Sequence, residues 1–250
     1  MHIFPKGTFP YIIQPYDTIW SLAHRFNTTI DGISFFNPEV DLNRLEAGQI
    51  IHIYPGYMYH SRSRCISKGE LELYNHLRML WEQHVVWTRL TIISIAFDLP
   101  DVELVTNRLL RNPIDFEMAL GPFYGGKIAS EFSGLLENHL VIAAELVKAA
   151  KAGDDKAADA EKRWYANADK IAAFLGCINP YWFEEEWKSM LYEHLSLIKS
   201  EAVNILTKNY GDSISVYDEI EIQALKMADV MAEGIAKQFS YRFTRCFSCP

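Results

Sequence analysis

A chain of 250 residues, at roughly 150 residues per domain, makes one large domain or two unequal ones. It carries 24 basic and 32 acidic residues, a formal charge of −8 with a pI near 5.5. Such a chain has no general attraction to phosphate backbones or anionic lipid, so neither nucleic acid nor a membrane is expected as a partner. Apolar residues at 49% and aromatics at 13% are ample for a packed core and exclude disorder.

The longest apolar runs, such as Leu90 to Phe97, fall short of a bilayer span, and Ser94 interrupts that one. Met1-His2-Ile3-Phe4-Pro5-Lys6 lacks the charged start and apolar segment of a secretory signal, so synthesis in the cytoplasm without a signal peptide is expected. Of the four cysteines, Cys65 and Cys177 stand alone and Cys246-Phe-Ser-Cys249 forms one C-x-x-C. A second pair to complete a zinc knuckle is missing, which leaves two terminal thiols able to crosslink molecules in an oxidising compartment.

Residues 10 to 54 alternate short strand and helix signals. Tyr11-Ile12-Ile13-Gln14 reads as a strand. Asp17 stands as the N-cap of a helix over residues 18–26, with Ile19, Leu22, Ala23 and Phe26 at helical spacing. Thr29 caps a second helix running to about Phe36, Asn37-Pro38 breaks it, and Gln49 to Ile53 reads as a closing strand.

The stretch Tyr11-x-Ile13, Asp17-Thr18-Ile19-Trp20-x-x-Ala23-x-x-Phe26-x-Thr28, Asn37-Pro38, Leu45-x-x-Gly48-Gln49-x-Ile51-x-Ile53-x-Pro55 resembles a LysM module. The resemblance implies a βααβ fold that binds the N-acetylglucosamine backbone of peptidoglycan or chitin. It places the sugar groove between the loop after the first strand and the loop after the second helix, here at Asp17, Thr18, Ile19 and at Asn37, Pro38. One departure from the family pattern is Tyr16, where a glycine usually precedes Asp-Thr.

The expected organisation is this module over residues 1–56, a linker over 57–69, a helical bundle over 70–240 and a tail over 241–250, an α+β chain overall. Ser67-x-x-Glu70 is a capping box, and Leu73, Leu77, Leu80, Trp81, His84 and Trp87 follow at helical spacing. A short helix restarts at Asp98-Leu-Pro100, and Gly121 to Gly126 reads as a loop. Further helices are expected at about 129–151, 155–175, 180–209 and 215–239, separated by Gly153-Asp154, Asn179-Pro180 and Gly211-Asp212. Long helices joined by short turns predict an up-and-down bundle.

Leu80-Trp-Glu-Gln-His84, Leu135-Leu-Glu-Asn-His139 and Met190-Leu-Tyr-Glu-His194 align, with the histidines 55 residues apart each time. Each histidine lies within the apolar stripe of its helix. Asn167-Ala-Asp169 resembles Met227-Ala-Asp229 on the returning helices, and the arms between each histidine, its turn and its aspartate are nearly equal. Two hairpins related by a pseudo-twofold axis would then gather His139, Asp169, His194 and Asp229 in the middle, with His84 as a fifth member and Glu145 and Glu201 as outer partners. Imidazoles and carboxylates from facing helices hold iron, manganese or zinc in other bundles. The spacings Glu82-x-His84 and Glu137-x-His139 do not match the Glu-x-x-His of di-iron bundles, so the expectation is one transition-metal ion, or a hydrogen-bonded polar core. No phosphate-binding glycine loop and no G-x-S-x-G elbow is present in the sequence.

Residues 68 to 239 resemble an uncharacterised helical family of spore-forming Gram-positive bacteria, through Leu80 to Arg89, Arg163 to Asp169 and Ile178 to Trp182. Related families form ferritin-like or hemerythrin-like bundles, and some are described as spore coat proteins. The resemblance implies spore cortex, coat or cell-wall association and no established activity. The expected function is a non-enzymatic wall or spore peptidoglycan-binding protein with homo-oligomeric or spore-layer partners. The alternatives are a metal-dependent oxidoreductase or hydrolase carried to glycan, and a cytosolic interaction scaffold.

Overall fold

The computed structural model describes residues 8–15, 17–26, 28–42, 45–54 and 66–243. Tyr16, most of the expected linker and both terminal cysteines lie outside the described residues. The chain divides into two compact units, residues 1–64 and 65–250.

The first unit runs β1 (Phe9–Ile12), α1 (Ile19–Arg25), α2 (Ile30–Phe36) and β2 (Ile50–Ile53). The strands pair antiparallel, from Phe9 opposite Ile53 to Ile12 opposite Ile50. Alternation along β2 buries Ile51 and Ile53, and these pack with Ile13, Leu22, Ala23 and Ile33 into one small core. Thr29 caps α2 by accepting from the Gly32 N–H, as its sequence position predicts. The cap of α1 falls one residue later than expected: Thr18 Oγ1 accepts from Ser21 N, and Ser21 Oγ accepts from Thr18 N. Asp17 is spent elsewhere.

The second unit is helical: α3 (Lys68–Ala96), α4 (Val102–Leu109), α5 (Asn112–Tyr124), α6 (Gly126–Ala152), α7 (Lys156–Ile178), α8 (Glu184–Leu206), α9 (Tyr210–Gln238) and a 3-10 turn over Ser240–Arg242. No described helix is long and apolar enough to cross a membrane. Ser67 caps α3 through Glu70 N, so the helix begins inside the expected linker. Gly121 to Gly126 is not a loop: α5 continues through Pro122 to Tyr124, and the chain breaks only at Gly125, at φ 81°. Asn179-Pro180 does not start α8. Asn179 accepts from Tyr181 N in a local turn, and the helix begins at Glu184.

The long rods form a ring in which α3 touches α5, α5 touches α6, and α6 to α9 follow in order until α9 closes on α3. The ring is three hairpins, α3 with α4–α5, α6 with α7, and α8 with α9, rather than the two expected. All three ascending helices end in the same Schellman turn. In these turns Leu99 N donates to Ser94 O, Asp154 N to Ala149 O, and Asn209 N to Asn204 O. Their left-handed residues are Asp98, Gly153 and Lys208, at φ 52°, 65° and 64°. Each lies 14 residues after His84, His139 or His194. The last turn is therefore at Lys208, and Gly211-Asp212 belongs to the first turn of α9.

Candidate functional site

The two loops assigned to sugar binding are each held by one buried polar side chain. Asp17, its side chain 3% exposed, accepts from the Tyr11 hydroxyl at 2.7 Å and from Gln14 N at 2.8 Å, and pairs with Arg25 at 3.1 Å. Arg25 also donates to the Tyr11 hydroxyl. Burial works against the charge of Asp17, but the Gln14 N–H, the Tyr11 hydroxyl and the guanidinium outweigh it and hold its pKa below the ordinary carboxylate value. In the second loop, Asn37 Nδ2 donates to Ile33 O and His52 O, and Asn37 Oδ1 accepts from His52 N at 2.7 Å. That amide ends α2 and ties it to β2 as an extra strand residue would. Asp17 and Asn37 thus shape the loops from within. Thr18 and Pro38 are exposed, and Ile19 is half-buried against the same core as Val40.

The family model of the LysM domain matches residues 11–53. Those residues are a LysM domain. The chain is similar to the secreted LysM effector Blys4 of Beauveria bassiana (strain ARSEF 2860), 40% identical over 47 residues. That alignment takes in 19% of this chain and 28% of the relative's own length. No solved structure gives a significant match.

Beyond the LysM domain, the three repeated histidines meet in the middle of the bundle. His84, His139 and His194 are 2–3% exposed and line one cavity of about 10 Å³ with Trp81, Trp187 and apolar residues. The rings of His84 and His194 lie 5.5 Å apart. Each histidine has an amide partner on its returning helix: Nδ1 of His84 meets Asn112 Oδ1 at 3.2 Å, Nδ1 of His139 meets Asn167 Oδ1 at 3.0 Å, and Nδ1 of His194 meets Gln223 Oε1 at 3.1 Å. The amide nitrogens donate to Leu80 O, Leu135 O and Met190 O, each the carbonyl four residues before its histidine. Because the amide oxygen faces the ring, Nδ1 must carry the proton and donate. The same clip therefore occurs three times, between residues 28, 28 and 29 apart. The third hairpin has one more residue on its returning arm, a rise of about 1.5 Å, and glutamine is one methylene longer than asparagine.

The aspartates do not join the histidines. Asp169 pairs with Lys188 at 2.9 Å and accepts from the Tyr192 hydroxyl, and Asp229 pairs with Arg78 at 2.6 Å, both at the surface. Glu145 pairs with Arg163 at the surface, and Glu201 is buried against Arg89. Trp164 donates to Nε2 of His139 at 3.1 Å, so both nitrogens of that ring are committed. Among the described residues no group of three or more His, Cys, Asp or Glu side chains is arranged to hold a metal ion. The cluster does not fit a His/Asp metal centre. Burial pushes the imidazole of His84 down to about 4 and that of His139 to about 3, and His194 falls well below its ordinary value. These are neutral rings in the core of the bundle.

Proposed function

We propose that this protein binds N-acetylglucosamine-containing glycan, peptidoglycan or chitin, through its LysM domain, and that the helical unit is a non-catalytic body joined to that domain. The observation that carries the reading is the βααβ unit at residues matched by the LysM model, with Asp17 and Asn37 holding the two loops that leave Thr18 and Pro38 exposed. The hydrogen-bonded histidines of the bundle support a structural role for the second unit, since an amide clip fixes Nδ1 of each ring and Trp164 also engages Nε2 of His139. Association with wall or spore layers follows from the glycan preference.

Sedimentation of the full chain with purified peptidoglycan and with chitin, with and without soluble chitooligosaccharide, tests this. Saturable retention that the oligosaccharide competes away is expected, with at least several-fold loss in Asp17→Asn and none in Asn167→Ala provided the latter stays folded. Retention that ignores the competitor, or that survives removal of the clamp at Asp17, would move binding off the LysM domain.

A further inference from the structure

The turn that leads into the first loop of the LysM domain is closed from both sides. Asp17 N donates to Gln14 O at 3.1 Å, and Gln14 N donates back to Asp17 Oδ2 at 2.8 Å. A carboxylate turned inward in this way is costly to desolvate unless further donors meet it. Two residues outside the loop supply them. The Tyr11 hydroxyl donates to Oδ2 from β1, and Arg25 Nη2 pairs with Oδ1 from α1.

The two donors also fix one another. Arg25 Nη1 donates to the Tyr11 oxygen at 2.7 Å, which leaves the hydroxyl's own hydrogen directed at the carboxylate. The Tyr11 ring meets Phe26 edge-on at 5.1 Å, and Phe26 meets Phe9 in the same manner at 5.4 Å, so the hydroxyl is held in place from behind. A protonated Asp17 would have to turn an O–H toward groups that are already donating, namely Gln14 N–H, the Tyr11 hydroxyl and the guanidinium. No other charged group among the described residues acts on this carboxyl. Thr18, exposed, and Ile19 follow directly, so the state of Asp17 sets where the loop presents them.

We infer that Tyr11 and Arg25 are positioning residues for glycan: without touching the sugar they hold Asp17 inward and charged, and so keep the loop over residues 14–18 in its binding shape from neutral to mildly acid conditions. The inference rests on the LysM reading of glycan binding and adds to it the residues that set the loop.

Calorimetric titration of the full chain with chitotetraose, a neutral probe that does not itself titrate, tests this at pH 7.0 and pH 4.5. The unaltered chain is expected to bind equally well at both. Tyr11→Phe and Arg25→Gln should each bind roughly three- to tenfold more weakly at pH 7.0, the difference one hydrogen bond makes. At pH 4.5 both should weaken further, toward the level at which Asp17→Asn binds at either pH, because burial of Asp17 is then opposed by fewer donors. Hydrogen exchange at the buried Ile51 and Ile53 should stay slow in each variant, which separates a displaced loop from an unfolded domain. If Arg25→Gln does not fold, Tyr11→Phe, which removes one oxygen, carries the test alone. Variants that bind as the unaltered chain does at both pH values overturn the inference and leave the LysM reading standing. A loss of equal size at both pH values overturns it too, since that loss does not pass through the charge on Asp17. An unaltered chain that binds no chitotetraose overturns the inference and the LysM reading together.

Discussion

Trp164 and His139 lock one another: the indole N–H donates to Nε2 at 3.1 Å, and Nδ1 on the far side of the ring donates to Asn167. A ring held in this way cannot accept a proton without losing a bond. Unfolded imidazoles protonate near pH 6.5, whereas burial lowers His84 to about 4 and His139 to about 3. Between those values the unfolded chain binds more protons, so the stability these histidines confer is complete above about pH 6.5 and is lost as pH falls. Urea unfolding of the helical unit at pH 7.5, 6.0 and 4.5 checks this. The free-energy difference between unaltered protein and His139→Gln should shrink by about 1 kcal/mol per pH unit below 6.5; a constant difference would mean that His139 takes up its proton as readily in the fold as in the unfolded chain.

Glu186 works in the opposite direction. Its carboxyl is buried, Oε1 has no partner among the described residues, and burial together with Glu233 raises its pKa to about 8. An unfolded glutamate ionises near its ordinary value of 4.5. The folded state therefore holds the extra proton between those values, and stability declines as pH rises from 4.5 to about 8. Glu186→Gln should stabilise the protein by about 1–3 kcal/mol at pH 8 and have little effect at pH 4.5, read from melting curves at both.

The amide clips should be individually costly to remove. Asn167→Ala leaves the Nδ1–H of His139 unpartnered in the core and takes away the second bond that the carbonyl of Leu135 accepts beside its helical one, for a loss of about 1–3 kcal/mol. Gln223→Asn should cost nearly as much although it keeps the amide, because the third hairpin has one residue more to span. Chemical denaturation of the two variants side by side measures both; an unaffected Gln223→Asn would show that side-chain length is not what closes the third clip.

At the turn after α8, Lys208 occupies the left-handed region at φ 64°, where Gly153 serves in the preceding hairpin. Lys208→Gly should raise stability by about 0.5–1 kcal/mol, because relief of the Cβ clash exceeds the added freedom of the unfolded chain. Gly153→Ala should lower stability by a similar amount. Differential scanning calorimetry resolves shifts of this size.

In the LysM domain, Asn37→Ala removes the two hydrogen bonds that tie the end of α2 to His52 of β2 and a third to Ile33 O within α2. Melting of the N-terminal unit, followed by hydrogen exchange at Ile51 and Ile53, should fall by about 2–3 kcal/mol while the bundle is unaffected. Equal loosening of both units would show that they unfold as one.

The LysM domain was legible because its spacing combines a cap, a helical stripe and a closing strand in under fifty residues. Its loop residues were read as ligand contacts, yet Asp17 and Asn37 turn inward; spacing names the loop, but not which way a polar side chain points. In the bundle, the interval of 55 residues found the three histidines at one level. The aspartates were the wrong partners for a geometric reason. Asp169 lies two residues after Asn167, about 3 Å further along and on the opposite side of the helix, and Asp229 lies six after Gln223, nearly two turns away. The intervals of 28, 28 and 29 to the amides were equally present in the sequence. The first hairpin escaped notice because its returning arm is split, with Arg111 between α4 and α5.

Each clip closes within a single hairpin, between residues no more than 29 apart, and neighbouring hairpins meet mainly through hydrocarbon. The three clips thus demand no contact between distant parts of the chain, unlike the buried Arg89–Glu201 pair, whose partners lie 112 residues apart. Local pairing of this kind should let each arm zip against its neighbour early, with the closure of α9 on α3 left for the later condensation of the three hairpins.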